Sequence, residues 1–476
     1  MKMSKPKRLH PVSAVINFLK SLKELIFPFV FIFLFGGNGI SFNFWQVSLA
    51  VVFILLSLVT GVLSWLRFTY RVEDGELRIE SGLFVRKKRY IPFERIQSLD
   101  LSEGILQRPF GLVRVRVETA GSSGLKDAEA VLTAITKTEA EAIQDILASV
   151  KYTERVEMED AADEAEVIYK IKPSQLLLLA STSGGAGVVI SAAIAFIAQF
   201  DELIPYKKMF EELQGFISSG VVFVSTIVFL IFLLAWLVAV VGTIMKYAGF
   251  TVKKVDDDLI ISRGLLEKRQ LTIPLNRVQG ILICENIIRQ PLGFGSVYIE
   301  SAGGSQEGDG SKALILPIIK KKEIAGLLSP FLADYHFRPD IVPSPKRALK
   351  RYMFRNLIIP LFIVVVSLIF FQPWGYLSLL LIPVGAIWAF LEHKDAGWNV
   401  QHQQLTLTYR GIVKRTILMK KNKIQSLSVS RSYFQKRQEL TSIKATIKSG
   451  IGGSGGTVVD IEKRDGHKVY IWYKHT

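Results

Sequence analysis

The chain has 476 residues, a length that suggests about three domains, and 49% of its residues are hydrophobic. Its one cysteine, Cys284, excludes an internal disulfide and a CxxC metal or redox site. The formal net charge of +17 fits binding to nucleic acid or to anionic lipid headgroups. Because much of the basic charge lies beside apolar segments, we favour lipid.

The apolar residues are clumped into long runs that come in pairs. A helix needs roughly 20 apolar residues to cross about 30 Å of hydrocarbon. Buried helices of a soluble protein are the alternative, but the arrangement of the runs as hairpins argues against it. The amino end is basic, yet no small-residue cleavage site follows the first run, so we expect that run to be retained. The sequence predicts six transmembrane helices in three hairpins, near residues 19–35, 44–65, 176–200, 217–245, 357–371 and 374–391.

The flanks of these runs indicate their orientation. Lys and Arg are concentrated before the first, third and fifth runs and after the second and fourth. The opposite loops differ, since residues 36–43 carry no charge and acidic residues outweigh the two lysines in 201–214. Positive flanks stay in the cytoplasm. We therefore predict a multi-pass cell-membrane protein with both termini and all soluble parts on the cytoplasmic side.

A β-rich stretch follows each hairpin, and the stretches repeat one another. Residues 91–98 read IPFERIQS, residues 273–280 read IPLNRVQG, and residues 419–426 read MKKNKIQS. A turn precedes each block, and its glycine, Gly82, Gly264 or Gly411, is expected to take a positive φ. One small domain is therefore predicted three times.

A second shared block follows the first. Residues 107–112 read QRPFGL and 289–294 read RQPLGF, so we expect a sharp bend in the first two copies. Residues 435–440 of the third copy contain neither Pro nor Gly. Copies one and two are predicted to close with helices near 139–150 and 322–335, whereas the third copy is predicted to end in a strand at 467–473, without a closing helix.

With these blocks and the RLHP sequence at residues 8–11, the whole chain resembles the bacterial pleckstrin-homology-like (PH-like) membrane proteins. The resemblance implies a PH-like split β-barrel after each hairpin, a membrane location and no catalytic residues. Some relatives are associated with immunity to small membrane-active bacteriocins. The predicted fold class is thus an α+β membrane protein. Its predicted boundaries are hairpin 1–66, PH-like domain 67–151, acidic linker 152–168, hairpin 169–246, PH-like domain 247–336, basic linker 337–350, hairpin 351–393 and PH-like domain 394–476.

Three sets of residues are candidates for a partner or lipid surface. One repeat position holds Arg95, Arg277 and Lys423, and another holds Gln97, Gln279 and Gln425; barrel residues that make only local hydrogen bonds are the favoured alternative there. A basic run, Arg86, Lys87, Lys88 and Arg89, follows the first turn, where PH folds often receive lipid phosphates; a solvated face is the alternative. The weaker equivalents are Lys268, Arg269, Lys414 and Arg415. The basic segment before the fifth run adjoins a predicted span and is the strongest candidate for binding lipid headgroups. It contains Lys346, Arg347, Lys350 and Arg351.

Enzyme signatures are missing from the sequence. The glycine-rich segment 449–456 lacks the Lys-Ser/Thr of a P-loop, and the six histidines show no metal-ligand spacing. We predict a non-enzyme without a cofactor or a metal. Its expected partners are the bilayer, anionic headgroups, and either a shorter one-copy PH-like membrane protein or a second copy, but not nucleic acid. Cell-envelope defence is the expected role, and a component of a peptide or lipid export system is the alternative.

Overall fold

The computed structural model describes residues 6–22, 44–83, 85–119, 130–153, 166–185, 187, 189–191, 221–301, 312–372, 374–449 and 453–474. The chain divides into two compact units, each described by itself below. The first unit contains residues 1–121 and 127–272, and the second contains 122–126 and 273–476.

Three helices in the described ranges are long and apolar enough to cross a membrane: Ser225–Tyr247, Lys346–Phe370 and Gly375–Asp395. The predicted second span is also helical, over Phe44–Arg67. Most of the predicted first span and the second half of the third lie outside the described residues. These helices support a transmembrane protein, while six spans in three hairpins stay a prediction.

The first unit contains two antiparallel sheets. The first sheet has the order β1-β2-β3-β4, and the second has the order β7-β6-β5-β11-β10-β9-β8. Between them lies a core in which Leu77, Phe93, Val115 and Leu132 are almost fully buried. The strands are β1 Lys7–Arg8, β2 Thr69–Glu73, β3 Glu76–Ser81, β4 Lys87–Pro92, β5 Ile96–Glu103, β6 Leu112–Thr119, β7 Ala130–Thr136, β8 Glu166–Lys170, β9 Thr251–Val255, β10 Asp258–Arg263 and β11 Lys268–Pro274.

The second unit repeats this arrangement. One sheet has the order β14-β13-β12-β18-β17-β16-β15, and a smaller sheet has the order β19-β20-β21. Its core includes Leu405, Ile417, Ile443 and Val458, each at most 1% exposed. The strands are β12 Val278–Glu285, β13 Phe294–Ser301, β14 Lys312–Lys320, β15 Val342–Pro343, β16 Gly397–Gln401, β17 Gln404–Arg410, β18 Lys414–Lys420, β19 Ile424–Ser430, β20 Leu440–Lys448 and β21 Gly453–Glu462.

The repeats share sheets with one another. The second repeat contributes β9, β10 and β11 to the first unit, where β11 pairs with β5 of the first repeat. It contributes β12, β13 and β14 to the second unit, where β12 pairs with β18 of the third repeat. Each large sheet thus combines strands of two successive repeats, an arrangement that the sequence patterns do not predict.

The turns confirm part of the glycine prediction. Gly82 and Gly264 have φ of 116° and 106°, and a Cβ on either would approach a backbone oxygen to 2.0 Å. The prediction of a positive φ is wrong for Gly411, whose turn does not use the left-handed region. At the later bend Gly293 has φ 72°, and Glu439 of the third repeat makes the same bend at φ 52° without a glycine.

The prediction that the third repeat lacks a closing helix is wrong. Residues Lys463–Lys474 form a helix, as do Lys137–Thr153 and Lys321–Leu328 in the earlier repeats. The segment is rich in aromatic and β-branched residues, which are typical of strands. Its packed residues nevertheless recur at helical spacing: Gly466 and Val469 are buried, and the Trp472 Nε1 donates to the His402 carbonyl oxygen at 2.9 Å.

Candidate anion-binding cleft

The second unit contains a cleft of about 920 Å³ lined mainly by basic and apolar residues. It lies between the bend of the second repeat at Pro291–Gly293, the loop near Arg338, and the end of the last candidate span at Lys394–Ala396. Strand β18 completes one wall with Lys414 and Thr416. Six cations line it: Lys320, Lys321, Lys322, Arg338, Lys394 and Lys414.

Local sequence places three of these cations together. Strand β14 ends at Lys320, which is the N-cap of the closing helix of the second repeat, and Lys321 and Lys322 lie in the first turn of that helix. Cations at a helix amino terminus are opposed by the helix dipole, which favours anions there. Lys321 is partly compensated, because its Nζ lies 3.0 Å from the nearly buried Glu285 Oε1.

The carboxylate among the described lining residues, Asp395, is already neutralised. Its Oδ2 accepts from Arg410 Nε at 2.6 Å, and its Oδ1 lies 2.7 Å from Lys414 Nζ. The Arg410 side chain is 1% exposed, stacks near the Trp388 ring and also donates to Gln290 Oε1. Because Asp395 is the last residue of the helix Leu381–Asp395, this cluster joins the membrane helix to β17 and β18.

The charge balance favours an anionic ligand. The remaining lysines and Arg338 face a cleft whose carboxylate is paired, so a phosphate group entering the cleft would meet several cations and little repulsion. The end of a candidate span forms one wall, and headgroup phosphates lie at that depth in a bilayer. Across the described ranges, no group of three His, Cys, Asp or Glu could hold a metal ion.

The basic run predicted as a lipid site lies in the first unit, on and just before β4. Arg86 contacts Glu80 at 2.5 Å, and Lys88 lies 3.5 Å from the same carboxylate. Burial raises the pKa of Glu80, but the charges of Arg86 and Lys88 outweigh that effect and hold the pKa below its ordinary value. Lys87 and Arg89 are exposed. Lipid binding by this run stays a prediction.

The repeated Arg and Gln positions differ in their surroundings, and their role as a partner or lipid surface stays a prediction. Gln279 is buried, and its Nε2 donates to the Arg277 carbonyl oxygen at 3.1 Å, as the local hydrogen-bonding alternative predicts. Lys423 Nζ reaches the Asn276 carbonyl oxygen at 3.4 Å, and Gln425 is exposed. Arg95 is exposed, and the side chain of Gln97 lies outside the described residues.

The basic segment before the fifth predicted run contacts the third repeat. Arg347 pairs with Glu462, and Arg351 Nε donates to the buried Asp460 Oδ1 at 2.8 Å. These two arginines therefore hold the start of a membrane helix against β21. Lys346 and Lys350 are exposed, and lipid binding by this segment stays a prediction.

Sequence reasoning missed most of the cleft. Lys414 was noted only as a weaker equivalent of the basic run, and Lys394 and Arg338 were not singled out. The lysine triplet at 320–322 was a visible signal, but charges in a sequence are not informative until a partner element brings others beside them. Here the seven-stranded sheet of the second unit does so.

The fold and the cleft define a membrane protein built from PH-like repeats. Comparison with known proteins agrees: the family model described as "Bacterial PH domain" matches residues 25–151, 193–330 and 355–476. The chain belongs to this bacterial PH domain family. It is 39% identical over 490 residues to the UPF0699 transmembrane protein YdbT of Bacillus subtilis (strain 168), which covers 99% of both chains. It is also 36% identical over 53 residues to the UPF0699 transmembrane protein YdbS of that organism, covering 11% of this chain and 33% of YdbS.

Proposed function

We propose that this chain is a non-enzymatic membrane protein that captures anionic lipid headgroups through its PH domains. The observation that carries the proposal is the basic cleft, whose cations come from two repeats and from the end of a candidate span. The positive flanks favour a cytoplasmic position for the domains, where the leaflet is anionic. A basic residue near such a surface contributes about 1 kcal/mol of attraction.

Lipid binding can be tested with the full-length protein in nanodiscs. We expect nanodiscs that contain phosphatidylglycerol to retain the protein's native conformation at higher temperature than nanodiscs of phosphatidylcholine alone. In detergent, native mass spectrometry should show bound phosphatidylglycerol. The variant K320Q/K322Q should weaken that binding about tenfold, since each charge contributes about 1 kcal/mol at most. Inorganic phosphate in place of lipid distinguishes a headgroup site from a site for the free anion.

A matched control lies in the same unit. Arg464 and Lys468 are on the closing helix of the third repeat, away from the lining residues, and Lys468 is 71% exposed. The variant R464Q/K468Q removes the same charge, so it should leave lipid retention unchanged. Equal loss in both variants would indicate nonspecific attraction, and no loss in K320Q/K322Q would contradict the cleft as the binding site.

For the physiological role we propose cell-envelope defence against membrane-active bacteriocins. Headgroup capture at the inner leaflet, together with helices in the bilayer, would act where such peptides insert. Deletion of the gene should raise sensitivity to membrane-active peptides, and the K320Q/K322Q variant should fail to restore resistance. Unchanged killing across a panel of peptides would contradict the role. Energy-dependent movement of a peptide or lipid in reconstituted vesicles would instead support the export alternative.

A further inference from the structure

Two edge strands in the described part of the chain differ from the other edge strands, because their equivalents in the other repeats lie inside a sheet. The four-stranded sheet of the first unit ends at β4, and the three-stranded sheet of the second unit ends at β19. Strand β4 is the third strand of its repeat and β19 is the fourth strand of its own. Their equivalents in the other repeats are not edges: β11 and β18 are third strands, β5 and β12 are fourth strands, and these pair with each other.

The two internal pairings share one register. In the first unit Lys268 of β11 lies opposite Glu103 of β5. In the second unit Lys414 of β18 lies opposite Glu285 of β12. The repeats align so that these are the same two positions. Opposite charges at facing positions favour a strand pair, although in the second unit the direct contacts of the two side chains are with other residues, Lys414 with Asp395 and Glu285 with Lys321. The chain therefore contains two independent examples of a third strand joined to the fourth strand of another repeat, each with a basic residue facing an acid.

The same alignment identifies what β4 would accept. Arg86 occupies the position of Lys268 and Lys414, and Arg89 occupies the position of Leu271, which faces Asp100 of β5. A fourth strand with acids at the positions of Glu103 and Asp100 would thus place one acid opposite Arg86 and the other opposite Arg89.

Among the described strands, β19 is the fourth strand that a second copy of this chain would offer at a sheet edge, and it lacks these acids. The corresponding residues are Ser428 on β19 and Arg431 just after it, so Arg86 would face Arg431. Like charges at facing positions are destabilising, and basic residues on an edge strand hinder unwanted pairing. Tyr90 on β4 is 52% exposed, whereas Leu418 at the same position of β18 is fully buried. The edge is therefore basic, carries an exposed aromatic ring, and is mismatched to its own chain.

We infer that β4 is a docking edge for the fourth strand of a bacterial PH domain on a different chain, one that carries acids opposite Arg86 and Arg89. The inference goes beyond headgroup binding and does not depend on the cleft, because β4 and the cleft belong to different units. The partner would add its sheet to β4 as the second repeat adds β11 to β5. Its main-chain hydrogen bonds would supply affinity, and the charge pairs would supply selectivity.

The edge can be tested with the full-length protein as its own probe. The variant S428D/R431E gives β19 the acid pattern of β5. In nanodiscs, a copy carrying S428D/R431E and V429C should form a disulfide with an otherwise wild-type copy carrying K88C, since Lys88 and Val429 face each other in the shared register. Both copies carry Cys284→Ser. We expect roughly tenfold more cross-linking than with the wild-type β19 sequence, because two charge pairs are gained and one like-charge pair is removed.

Four outcomes decide the inference. Loss of the cross-link when the receiving copy carries R86E/R89E supports it, as does the absence of a link to K87C, which is one residue out of register. Equal cross-linking with the wild-type β19 sequence would make a second copy the occupant and overturn it. No cross-linking from a folded S428D/R431E copy would also overturn it. Arg431 Nε donates to the Leu440 carbonyl oxygen at 3.2 Å, and R431E would remove this hydrogen bond. The single variant S428D keeps it, and its new acid faces Arg89, so it should still raise cross-linking severalfold.

Discussion

Replacement of Asp395 by Asn should strongly destabilise the second unit. Asp395 is 6% exposed and compensates two cations, Arg410 and Lys414, at contacts of 2.6 and 2.7 Å. Asn has nearly the same shape and keeps one oxygen as an acceptor, but it carries no charge. The variant therefore isolates the effect of leaving two cations uncompensated at the junction between the last membrane helix and the sheet.

The magnitude follows from the burial of each partner. Removing one member of a buried ion pair costs about 3–5 kcal/mol, because the remaining charge is left without water or a counterion. The Arg410 side chain is 1% exposed, whereas Lys414 is 17% exposed and can recover some hydration. With one acceptor retained, we expect a loss of about 3 kcal/mol in the free energy of unfolding, at the lower end of that range.

The assay is chemical unfolding of the full-length protein in detergent, followed by tryptophan fluorescence and by hydrogen exchange of the β17 amides. Asp465→Asn is the matched control. Asp465 is 16% exposed, but its partner Lys468, at 3.5 Å, is 71% exposed and keeps its hydration, so the pair should contribute at most about 0.5 kcal/mol. A loss below about 1 kcal/mol for Asp395→Asn, or a loss equal to that of the control, would refute the claim that the cluster is desolvated.

Three further predictions concern other parts of the chain. Burial raises the pKa of Glu139, but hydrogen bonds from Lys7 and Tyr70 outweigh burial and hold the pKa below its ordinary value. Ionised Glu139 therefore contributes about 1 kcal/mol to the free energy of unfolding above about pH 4.3, and this contribution is lost as the pH falls through the lowered pKa. Glu139→Gln should therefore lower the free energy of unfolding at pH 7 and leave it equal to that of the wild type in strong acid. A difference between the two proteins that stays constant with pH would contradict this. Gly264→Ala should cost about 2 kcal/mol in chemical unfolding, because its φ is 106°, and Gly411→Ala, in an open turn, should cost at most about 0.5; equal losses would refute the conformational argument. On the closing helix of the third repeat, Val469→Ala should cost about 2 kcal/mol and the exposed Tyr470→Ala about 0.5 or less; the reverse order in thermal unfolding would contradict the helix.

The sequence was informative where structure depends on local chemistry. The turns at Gly82 and Gly264 were predictable because only glycine readily adopts their φ values. The predictions for the third repeat were wrong where other residues take the same conformations. Glu439 bends the chain in the left-handed region, and the aromatic residues near Trp472 form a helix although they favour strands in general.

The pairing of strands between repeats could not be predicted in the same way. Strands β4 and β11 share the motif Ile-Pro and the same turn, yet β4 is a sheet edge and β11 is internal. Their local sequences therefore do not determine their neighbours. The cleft was hidden for a related reason, since its cations are separated by up to 94 positions between Lys320 and Lys414 and meet only when β12 pairs with β18.

The common register of the two internal pairings has an evolutionary consequence. If recombination removed the whole second repeat, β5 would meet β18 with Glu103 opposite Lys414, and the two strands would pair in the same register as before. Loss of part of a repeat would instead leave the strands of one repeat without the strands that pair with them in the shared sheet. Family members should therefore gain or lose length in whole modules, and shortened genes that end inside a module should yield insoluble products.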